Sequence, residues 1–354
     1  MRRTTALALA VCGVIAACTS AQAPQGDVVQ APASATAATP VASAATAAPA
    51  ASAAPVAQAS QAPQATPAPS ANTAPAVAVT ARELSVPSLD LAGGRFVSLP
   101  AFWFPSAAAL GVTAPALVLL HGCGGPYTPQ RDGTRRLAAR YTELAEALNA
   151  MGIHVLVTDS LTPRGVRELC TLRGGDRRVT QLHRRRDALG ALAWLAAQPG
   201  VDPARVGLLG WSNGGSTVLA ATNLMHAEVR AAPQPPSLAV AFYPGCEFEA
   251  RRGYRPSAPL LMLLGEADDW TLAAPCKAMA AAATVKLPVP PPQWEAYEGA
   301  HHGFDGTAPV RLRRDVPGGA RPGRGVHVGG NPEARAAARA RLQDFLRERW
   351  RLRG

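Results

Sequence analysis

The chain has 354 residues, of which 48% are hydrophobic, and its formal net charge is +11. The arginine clusters at residues 164–186, 311–324 and 335–353 would attract an anionic lipid or polysaccharide, but they are interleaved with acidic residues and carry no nucleic-acid-binding motif. We therefore interpret them as solvated helix faces and expect no nucleic acid partner.

The N-terminus has the pattern of a secretory signal over residues 1–17, where two arginines precede an apolar stretch too short to span a bilayer. Two cleavage sites compete. Residues 15–18, Ile-Ala-Ala-Cys, are similar to the lipobox of bacterial lipoproteins, and residues 21–23, Ala-Gln-Ala, to an ordinary signal-peptidase site. Because Pro24 would follow the second cut, we favour lipidation of Cys18. The chain is then exported and anchored by lipid to the bacterial cell envelope.

The segment after the signal consists almost entirely of Ala, Pro, Ser, Thr, Val and Gln. Such a composition cannot bury a core, so residues 18–81 are predicted to be a disordered tether. Residues 82–354 then form one α/β domain. Four cysteines remain in that domain, and their even number in an exported protein predicts disulfides: Cys123, Cys170, Cys246 and Cys276. None is spaced as a metal knuckle, so we expect no metal site.

Apolar runs bounded by turn residues alternate with helical segments, which predicts an α/β fold with a mostly parallel central sheet and helices on both faces. The apolar runs predict strands at residues 95–103, 116–120, 154–158, 206–209, 238–243, 260–264 and 293–297. Helical spacing predicts helices over residues 134–151 and 180–197. Asn331 and Pro332 have the pattern of an N-cap and first helical position, which predicts the start of a last helix.

A candidate nucleophile lies in the sequence Gly-Trp-Ser-Asn-Gly from Gly210 to Gly214, a G-x-S-x-G motif. The motif alone is weak. Here it directly follows an apolar strand and precedes the helix-competent run 216–225, which is the setting of a nucleophile elbow. A tight turn needs the small glycines and pushes the hydroxyl of Ser212 into the open.

The Gly-rich sequence His-Gly-Cys-Gly-Gly from His121 to Gly125 follows the strand at 116–120. A loop in that position turns backbone N–H groups toward a substrate oxygen. We assign the oxyanion hole to the N–H groups of Cys123 and Asn213. A tight strand-exit turn is the alternative interpretation of the loop alone.

Acidic and histidine residues follow two later strands. Asp268 and Asp269 come after the strand at 260–264, and His301 and His302 come after the strand at 293–297. Each feature alone is weak, since such residues are usually solvated. The order Ser, Asp, His at successive strand ends is the order of α/β-hydrolases and makes the combination strong.

These residues carry a resemblance to the dienelactone hydrolase family of the α/β-hydrolase superfamily from about residue 117 to 350. The stretches that resemble the family, besides the Ser212 motif, are residues 119–122, 159–160, 163–165, 201–207 and 299–304. The resemblance implies the α/β-hydrolase fold, with His302, directly before Gly-Phe, as base and Asp268 as its acidic partner. His301 and Asp269 are the alternatives.

The sequence differs from the family's namesake enzymes, which resemble a cysteine-nucleophile variant with a glutamate beside the oxyanion loop. Here Ser212 and Gly122 stand at those positions. A general carboxylesterase is therefore a safer expectation than a lactonase. Residues 245–259 are too few for a helical lid, so we expect no large lid and a site open to small-molecule or polymeric esters.

The expected reaction is acyl transfer to Ser212, with no metal or organic cofactor. A non-catalytic cell-envelope binding protein and a peptidase on the same fold are the alternatives. The complete Ser, Asp, His order argues against the first. The absence of a gating domain before Leu84 argues against the second.

The resemblance also implies a pairing of the four cysteines. In the α/β-hydrolase sheet order, the strands that lead to Cys123 and Cys170 are neighbours, as are those that lead to Cys246 and toward Cys276. We therefore expect disulfides Cys123–Cys170 and Cys246–Cys276, each joining two strand-exit loops around the site. Four free thiols are the alternative.

Overall fold

The computed structural model describes residues 81–107, 111–129, 134–283 and 287–352. Its strands are β1 (Arg82–Ala92), β2 (Arg95–Phe104), β3 (Ala114–Leu120), β4 (Tyr127–Pro129), β5 (Arg135–Leu137), β6 (His154–Thr158), β7 (Val201–Trp211), β8 (Ala239–Phe242), β9 (Leu260–Gly265), β10 (Gln293–Tyr297), β11 (Arg311–Arg313) and β12 (Val326–Val328). Its helices are α1 (Ala139–Ala150), α2 (Gln181–Ala196), α3 (Asn213–Thr222), α4 (Ala227–Arg230), α5 (Glu247–Arg252), α6 (Ala273–Ala282) and α7 (Pro332–Trp350). The predicted signal, Cys18 and the tether up to residue 80 lie outside the described residues.

Eight strands form the central sheet in the order β1-β2-β6-β3-β7-β8-β9-β10. The six from β6 to β10 in that order pair in parallel, and β1 and β2 are antiparallel at one edge. The sheet is therefore mixed but mostly parallel. This arrangement confirms the predicted fold class.

The strand predictions succeed where both faces of a strand are buried. Every residue of β3 and β6 is buried, so these strands appear in the sequence as continuous apolar runs. The prediction omitted β1, because only alternate residues of this edge strand are buried and two of them, Ser88 and Asp90, are polar. An inward-facing polar residue hides the alternation on which a strand prediction rests.

The predicted first helix is too long. Residues 135–137 form β5, which pairs with β4 in a two-stranded hairpin, and α1 begins only at Ala139. Ala138 is extended, and its N–H donates to the carbonyl of Pro126. Strand pairing with β4 therefore overrides the helical spacing of apolar residues that predicted a helix over residues 135–137. The last helix begins as predicted, with the Asn331 side chain accepting from the N–H of Ala334 and Pro332 at the first position.

The hydrophobic core lies on both faces of the sheet. On one face α2, α3 and α6 pack through residues such as Leu192, Val218 and Met279. On the other face α1 and α7 pack through Leu148 and Phe345. Helices on both faces leave the carboxyl ends of the parallel strands as the edge where the loops gather.

The arginines between residues 164 and 186 are not all solvated, so that expectation is wrong for three of them. Arg164 forms ion pairs with Asp90 and Asp187, both at 2.8 Å. Arg184 and Arg185 are buried in α2. A buried guanidinium must find fixed acceptors, so this cluster holds elements together.

Across residues 81–107, 111–129, 134–283 and 287–352, no helix has both the length and the apolar composition needed to cross a membrane.

Candidate active site

Ser212 stands at the turn between β7 and α3. Its backbone has φ 53° and ψ −118°, outside the usual regions for a residue with a side chain. A Cβ atom at Gly210 would collide with the carbonyl of Gly214, and one at Gly214 with the carbonyl of Leu120. Glycine at both positions therefore permits the strained turn, and the turn holds the Ser212 hydroxyl at the carboxyl end of the sheet.

A continuous series of hydrogen bonds joins Ser212, His302 and Asp268. The Ser212 Oγ lies 2.8 Å from His302 Nε2, and His302 Nδ1 lies 2.8 Å from Asp268 Oδ2. If Nδ1–H donates to the carboxylate, Nε2 is free to accept the serine proton. Three loops that follow β7, β9 and β10 thus bring together the three residues that the sequence singled out.

The loop after β9 fixes the Asp268 carboxylate. Its Oδ1 accepts the backbone N–H groups of Trp270 at 2.8 Å and Thr271 at 2.9 Å, and its Oδ2 accepts the Thr271 hydroxyl at 3.0 Å. Asp268 is 2% exposed. A carboxylate held by this many donors cannot rotate away from the imidazole.

Two aromatic rings pack against His302. The Tyr243 ring centroid lies 4.7 Å from the imidazole centroid, and that of Trp270 lies 4.6 Å away. Tyr243 has a positive φ of 35°, and burial raises its pKa well above the usual value, so its phenol stays neutral. The two rings therefore pack against the imidazole and hold its orientation between Ser212 and Asp268.

A polar cluster lies behind the rings. Asp305 accepts from the Tyr243 hydroxyl at 2.6 Å and from the Trp211 indole N–H at 2.8 Å, and it forms an ion pair with Arg140. Trp211 directly precedes Ser212. The cluster therefore connects the turn that carries Ser212 to the Tyr243 ring that packs on His302.

Sequence reasoning did not identify Tyr243, Trp270, Asp305 or Arg140. Tyr243 ends the predicted strand at 238–243, Trp270 directly follows Asp269, and Asp305 directly follows the motif that contains His302. Their closeness in sequence to predicted elements and candidate residues was the signal that could have identified them. Arg140 lies in α1 and had no such signal.

The Gly-rich loop from His121 to Gly125 lies beside Ser212. A Cβ built on Gly122 would lie 3.7 Å from the Cβ of Ser212. Cys123 lines the same cavity as Ser212. Asn213 is the first residue of α3, so its N–H has no acceptor within the helix. The residues that carry both predicted oxyanion donors therefore lie near Ser212, Cys123 in the cavity lining and Asn213 as the next residue in the chain.

The structure pairs Cys123 with Cys170 and Cys246 with Cys276, with Cα separations of 5.0 and 5.1 Å. Both cysteines of the first disulfide line the cavity at Ser212. Those of the second are fully buried in the core, and Cys276 lies in α6. The expectation that both disulfides join strand-exit loops around the site is therefore wrong for the second.

The alternative residues His301 and Asp269 take part in other contacts. His301 Nδ1 lies 2.8 Å from the carbonyl of Ala267. The Asp269 carboxylate accepts the backbone N–H of His327 at 2.8 Å and lies 2.7 Å from its Nδ1. His327 belongs to β12. Asp269 thus holds the β11–β12 hairpin, which the sequence analysis did not foresee.

The cavity over Ser212 has a volume of about 290 Å³. Its lining comes from the Gly-rich loop, the aromatic residues Tyr127, Tyr141, Trp211, Tyr243 and Trp270, and the hairpin residues Arg313 and Val328, among others. None of the lining residues belongs to the 245–259 segment. A second cavity of about 340 Å³ adjoins it and shares Arg140.

No group of three or more His, Cys, Asp and Glu side chains within the described ranges is arranged to hold a metal ion.

Comparison with known proteins agrees with the α/β-hydrolase fold described above. The sequence model of the dienelactone hydrolase family matches residues 139–349. No curated protein matches the chain. Among solved structures, the chain is similar to esterase 2 of Thermogutta terrifontis phosphorylated by paraoxon, with a TM-score of 0.53 and 17% identity over 77% of this chain and 96% of that one.

It is also similar to a dienelactone hydrolase-like promiscuous phosphotriesterase from metagenomic libraries. The TM-score is 0.52 and the identity is 21%, over 76% of this chain and 98% of that one. At these identities the likeness concerns the fold, which is the α/β-hydrolase fold.

Proposed function

Because the chain belongs to the dienelactone hydrolase family and is a hydrolase of this fold, we propose that it cleaves carboxylic esters through an acyl-enzyme on Ser212. The observation that carries the proposal is the series of hydrogen bonds from Ser212 through His302 to Asp268, under a cavity that a Gly-rich loop borders. The three side chains have the roles of nucleophile, base and orienting acid.

In the first half of the reaction, the Ser212 Oγ attacks the ester carbonyl carbon as His302 Nε2 takes the hydroxyl proton. The Asp268 carboxylate stabilises the imidazolium through Nδ1–H. The carbonyl oxygen becomes an oxyanion that accepts from the N–H groups of Cys123 and Asn213. The bond to the alcohol oxygen then breaks, and His302 protonates the leaving alcohol.

In the second half, water attacks the acyl carbon while His302 removes its proton. The tetrahedral intermediate collapses, the bond to Ser212 Oγ breaks, and His302 returns the proton to the serine. The products are an alcohol and a carboxylic acid, and the enzyme regains its starting state. No step of this sequence needs a metal or organic cofactor.

The shape of the site supports ester substrates of more than one size. No residue of the 245–259 segment lines the cavity, and aromatic side chains supply much of the lining. An open, largely apolar cavity accepts an acyl chain or part of a polymeric ester. We therefore propose small-molecule or polymeric esters as substrates.

A hydrolysis screen tests this proposal against its two alternatives. Nitrophenyl esters of increasing acyl length and a panel of peptide amides are offered to the wild-type protein and to Ser212→Ala. Ester hydrolysis that is lost in Ser212→Ala supports the proposal. Faster cleavage of the peptides would identify a peptidase. Folded wild-type protein with neither activity would favour a binding protein.

We further propose that the protein is exported and attached to a membrane of the cell envelope through lipid on Cys18, with residues 19–81 as tether. The two disulfides support an oxidising compartment. Mass spectrometry of the mature N-terminus tests the anchor. Acyl groups on an N-terminal Cys18 are expected, and a free amine on a later residue would mean plain secretion.

A further inference from the structure

Arg184 is a buried cation between the two segments that carry the predicted oxyanion donors. It lies in α2 and is 1% exposed. Its Nη2 donates to the carbonyl of His121 at 2.7 Å, and its Nη1 donates to Oδ1 of Asn213 at 2.5 Å. His121 begins the Gly-rich loop, and Asn213 directly follows Ser212. One guanidinium thus spans the gap between the loop and the elbow.

The charge of Arg184 is not neutralised by contact. Within the described part of the chain no carboxylate lies within ion-pair distance of it, and its Nε has no hydrogen-bond partner. Burial lowers its pKa to about 10, although the charges of the buried carboxylates Asp187 and Asp159 oppose that shift, so the guanidinium stays charged at neutral pH. Burying a cation with no anion in direct contact is unfavourable. A purely structural role would be filled better by an apolar side chain.

His121 completes the connection on the side of the loop. Its Nε2 accepts the N–H of Ser160 at 3.2 Å, so Nδ1 carries the proton and donates to the carbonyl of Gly122 at 2.7 Å. Burial, together with the neighbouring Arg184, lowers the pKa of His121 to about 3. His121 therefore remains neutral, and the start of the loop is held from both sides.

We infer that Arg184 is a positioning residue for the oxyanion hole. By binding His121 and Asn213 at once, it fixes the separation between the Gly-rich loop and the start of α3, so that the N–H groups of Cys123 and Asn213 converge on one point. Its positive charge also favours the negative charge that develops there. This inference rests on the proposed acyl transfer at Ser212.

The neighbouring Arg185 provides a matched control. It is also buried in α2, but its guanidinium donates to Glu228 through Nε at 2.9 Å and Nη2 at 2.7 Å. Arg184→Lys and Arg185→Lys both shorten a buried guanidinium to an ammonium. Only the first removes a contact to the oxyanion segments, since a lysine cannot donate to two separated acceptors in the same fork geometry.

The experiment measures kcat and KM for a nitrophenyl ester and the inhibition constant of a trifluoromethyl ketone. The ketone forms a tetrahedral oxyanion on the serine. Removing one oxyanion donor costs on the order of 10² to 10³ in kcat. For Arg184→Lys we expect kcat to fall by roughly 10- to 100-fold with KM within about threefold. Ketone affinity should weaken in parallel with kcat/KM. Arg185→Lys should leave all three within about threefold.

Asn213→Ala is a second variant, because it removes the acceptor of Arg184 while keeping the backbone N–H. We expect the same pattern with a smaller loss in kcat. An Arg184→Lys protein that is folded, with kcat and ketone affinity unchanged, would overturn the inference. So would a lower kcat with unchanged ketone affinity. A wild-type protein that neither cleaves the ester nor binds the ketone at Ser212 would overturn this inference together with the proposed function.

Discussion

Two neighbouring Asp–His pairs, Asp268–His302 and Asp269–His327, differ in burial and in what their histidines contact. Asp268 and His302 have side chains that are 0% and 5% exposed, and their contact continues to Ser212. Asp269 and His327 form an equally short contact, but their side chains are 34% and 46% exposed. The second pair fastens the β11–β12 hairpin to the loop after β9.

A short carboxylate–imidazole contact does not by itself identify a catalytic pair. Burial, the aromatic rings of Tyr243 and Trp270, and a nucleophile at the other imidazole nitrogen distinguish the first pair. The second pair is partly exposed to solvent, which weakens its ion pair. The same two residue types therefore have a proposed catalytic role in one case and attach a hairpin in the other.

The largest expected effect separates the adjacent histidines. His302→Ala should lower kcat/KM for a nitrophenyl ester by on the order of 10⁴ to 10⁶, because the serine loses its base. His301→Ala should lower it by less than about tenfold. The kinetics are measured on both variants after their melting temperatures are shown to match the wild type within a few degrees. The opposite ranking would move the base by one position.

The next largest expected effect on kcat distinguishes Asp268 from Asp269. Asp268→Asn should reduce kcat on the order of 10⁴-fold, since an amide favours the wrong imidazole tautomer. Asp269→Asn should leave kcat within about threefold and lower the free energy of unfolding by about 1 kcal/mol through the hairpin. Steady-state kinetics and chemical denaturation of both variants test this contrast. Equal activity losses would mean that the exposed pair also takes part in the reaction.

The two disulfides also differ in location, since Cys123–Cys170 lines the cavity at Ser212 and Cys246–Cys276 lies in the hydrophobic core. They join residues that are 47 and 30 positions apart in the sequence. Closing loops of this length stabilises the folded protein by roughly 4 kcal/mol each. Only Cys123–Cys170 lines the cavity, so mild reduction should lower activity before the domain unfolds. Activity and near-ultraviolet circular dichroism are followed together during reduction, with a Cys246→Ala, Cys276→Ala variant as control. Simultaneous loss of both signals in that control would contradict this role.

The smallest effect concerns the buried histidines and pH. Burial lowers the pKa of His121 to about 3 and also lowers the pKa values of His154 and His226. The unfolded chain takes up these protons near pH 6.5, so between that pH and about 3 it binds more protons than the folded protein. Stability therefore falls as the pH decreases. His121 alone accounts for about 2 kcal/mol at pH 5.0.

Melting temperatures at pH 7.5 and 5.0, in buffers of equal ionic strength, measure that loss. A decrease of roughly 4 to 8 °C is expected for a domain of this size. A melting temperature that stays constant or rises would show that these imidazoles are already protonated in the folded protein.

The sequence was sufficient to predict seven of the eight strands of the central sheet and to single out three residues that the structure brings together. β3 and β6 are buried on both faces and appear as apolar runs. Ser212 requires its flanking glycines because their Cβ atoms would collide with backbone. Such requirements are local, so they are visible in a single chain.

Features that depend on distant partners were not predictable in this way. β5 is a strand only because β4 lies beside it. Arg184 appeared to belong to a solvated cluster because its acceptors, His121 and Asn213, lie 63 and 29 positions away in the sequence. Asp305 likewise collects donors from β7, α1 and Tyr243. Tertiary contacts of this kind override local pattern.

The most direct test of the account is the labelling of Ser212 by a fluorophosphonate ester, followed by peptide mapping with mass spectrometry. Reaction of Ser212 with the label is stronger evidence for the proposed active site than a short Ser212–His302 distance, because it requires the base and the oxyanion donors to act together. We expect one adduct, on Ser212, formed at similar rates in the wild type and His301→Ala and much more slowly in His302→Ala. An adduct on another residue, or equal labelling of His302→Ala, would contradict the assignment of this site.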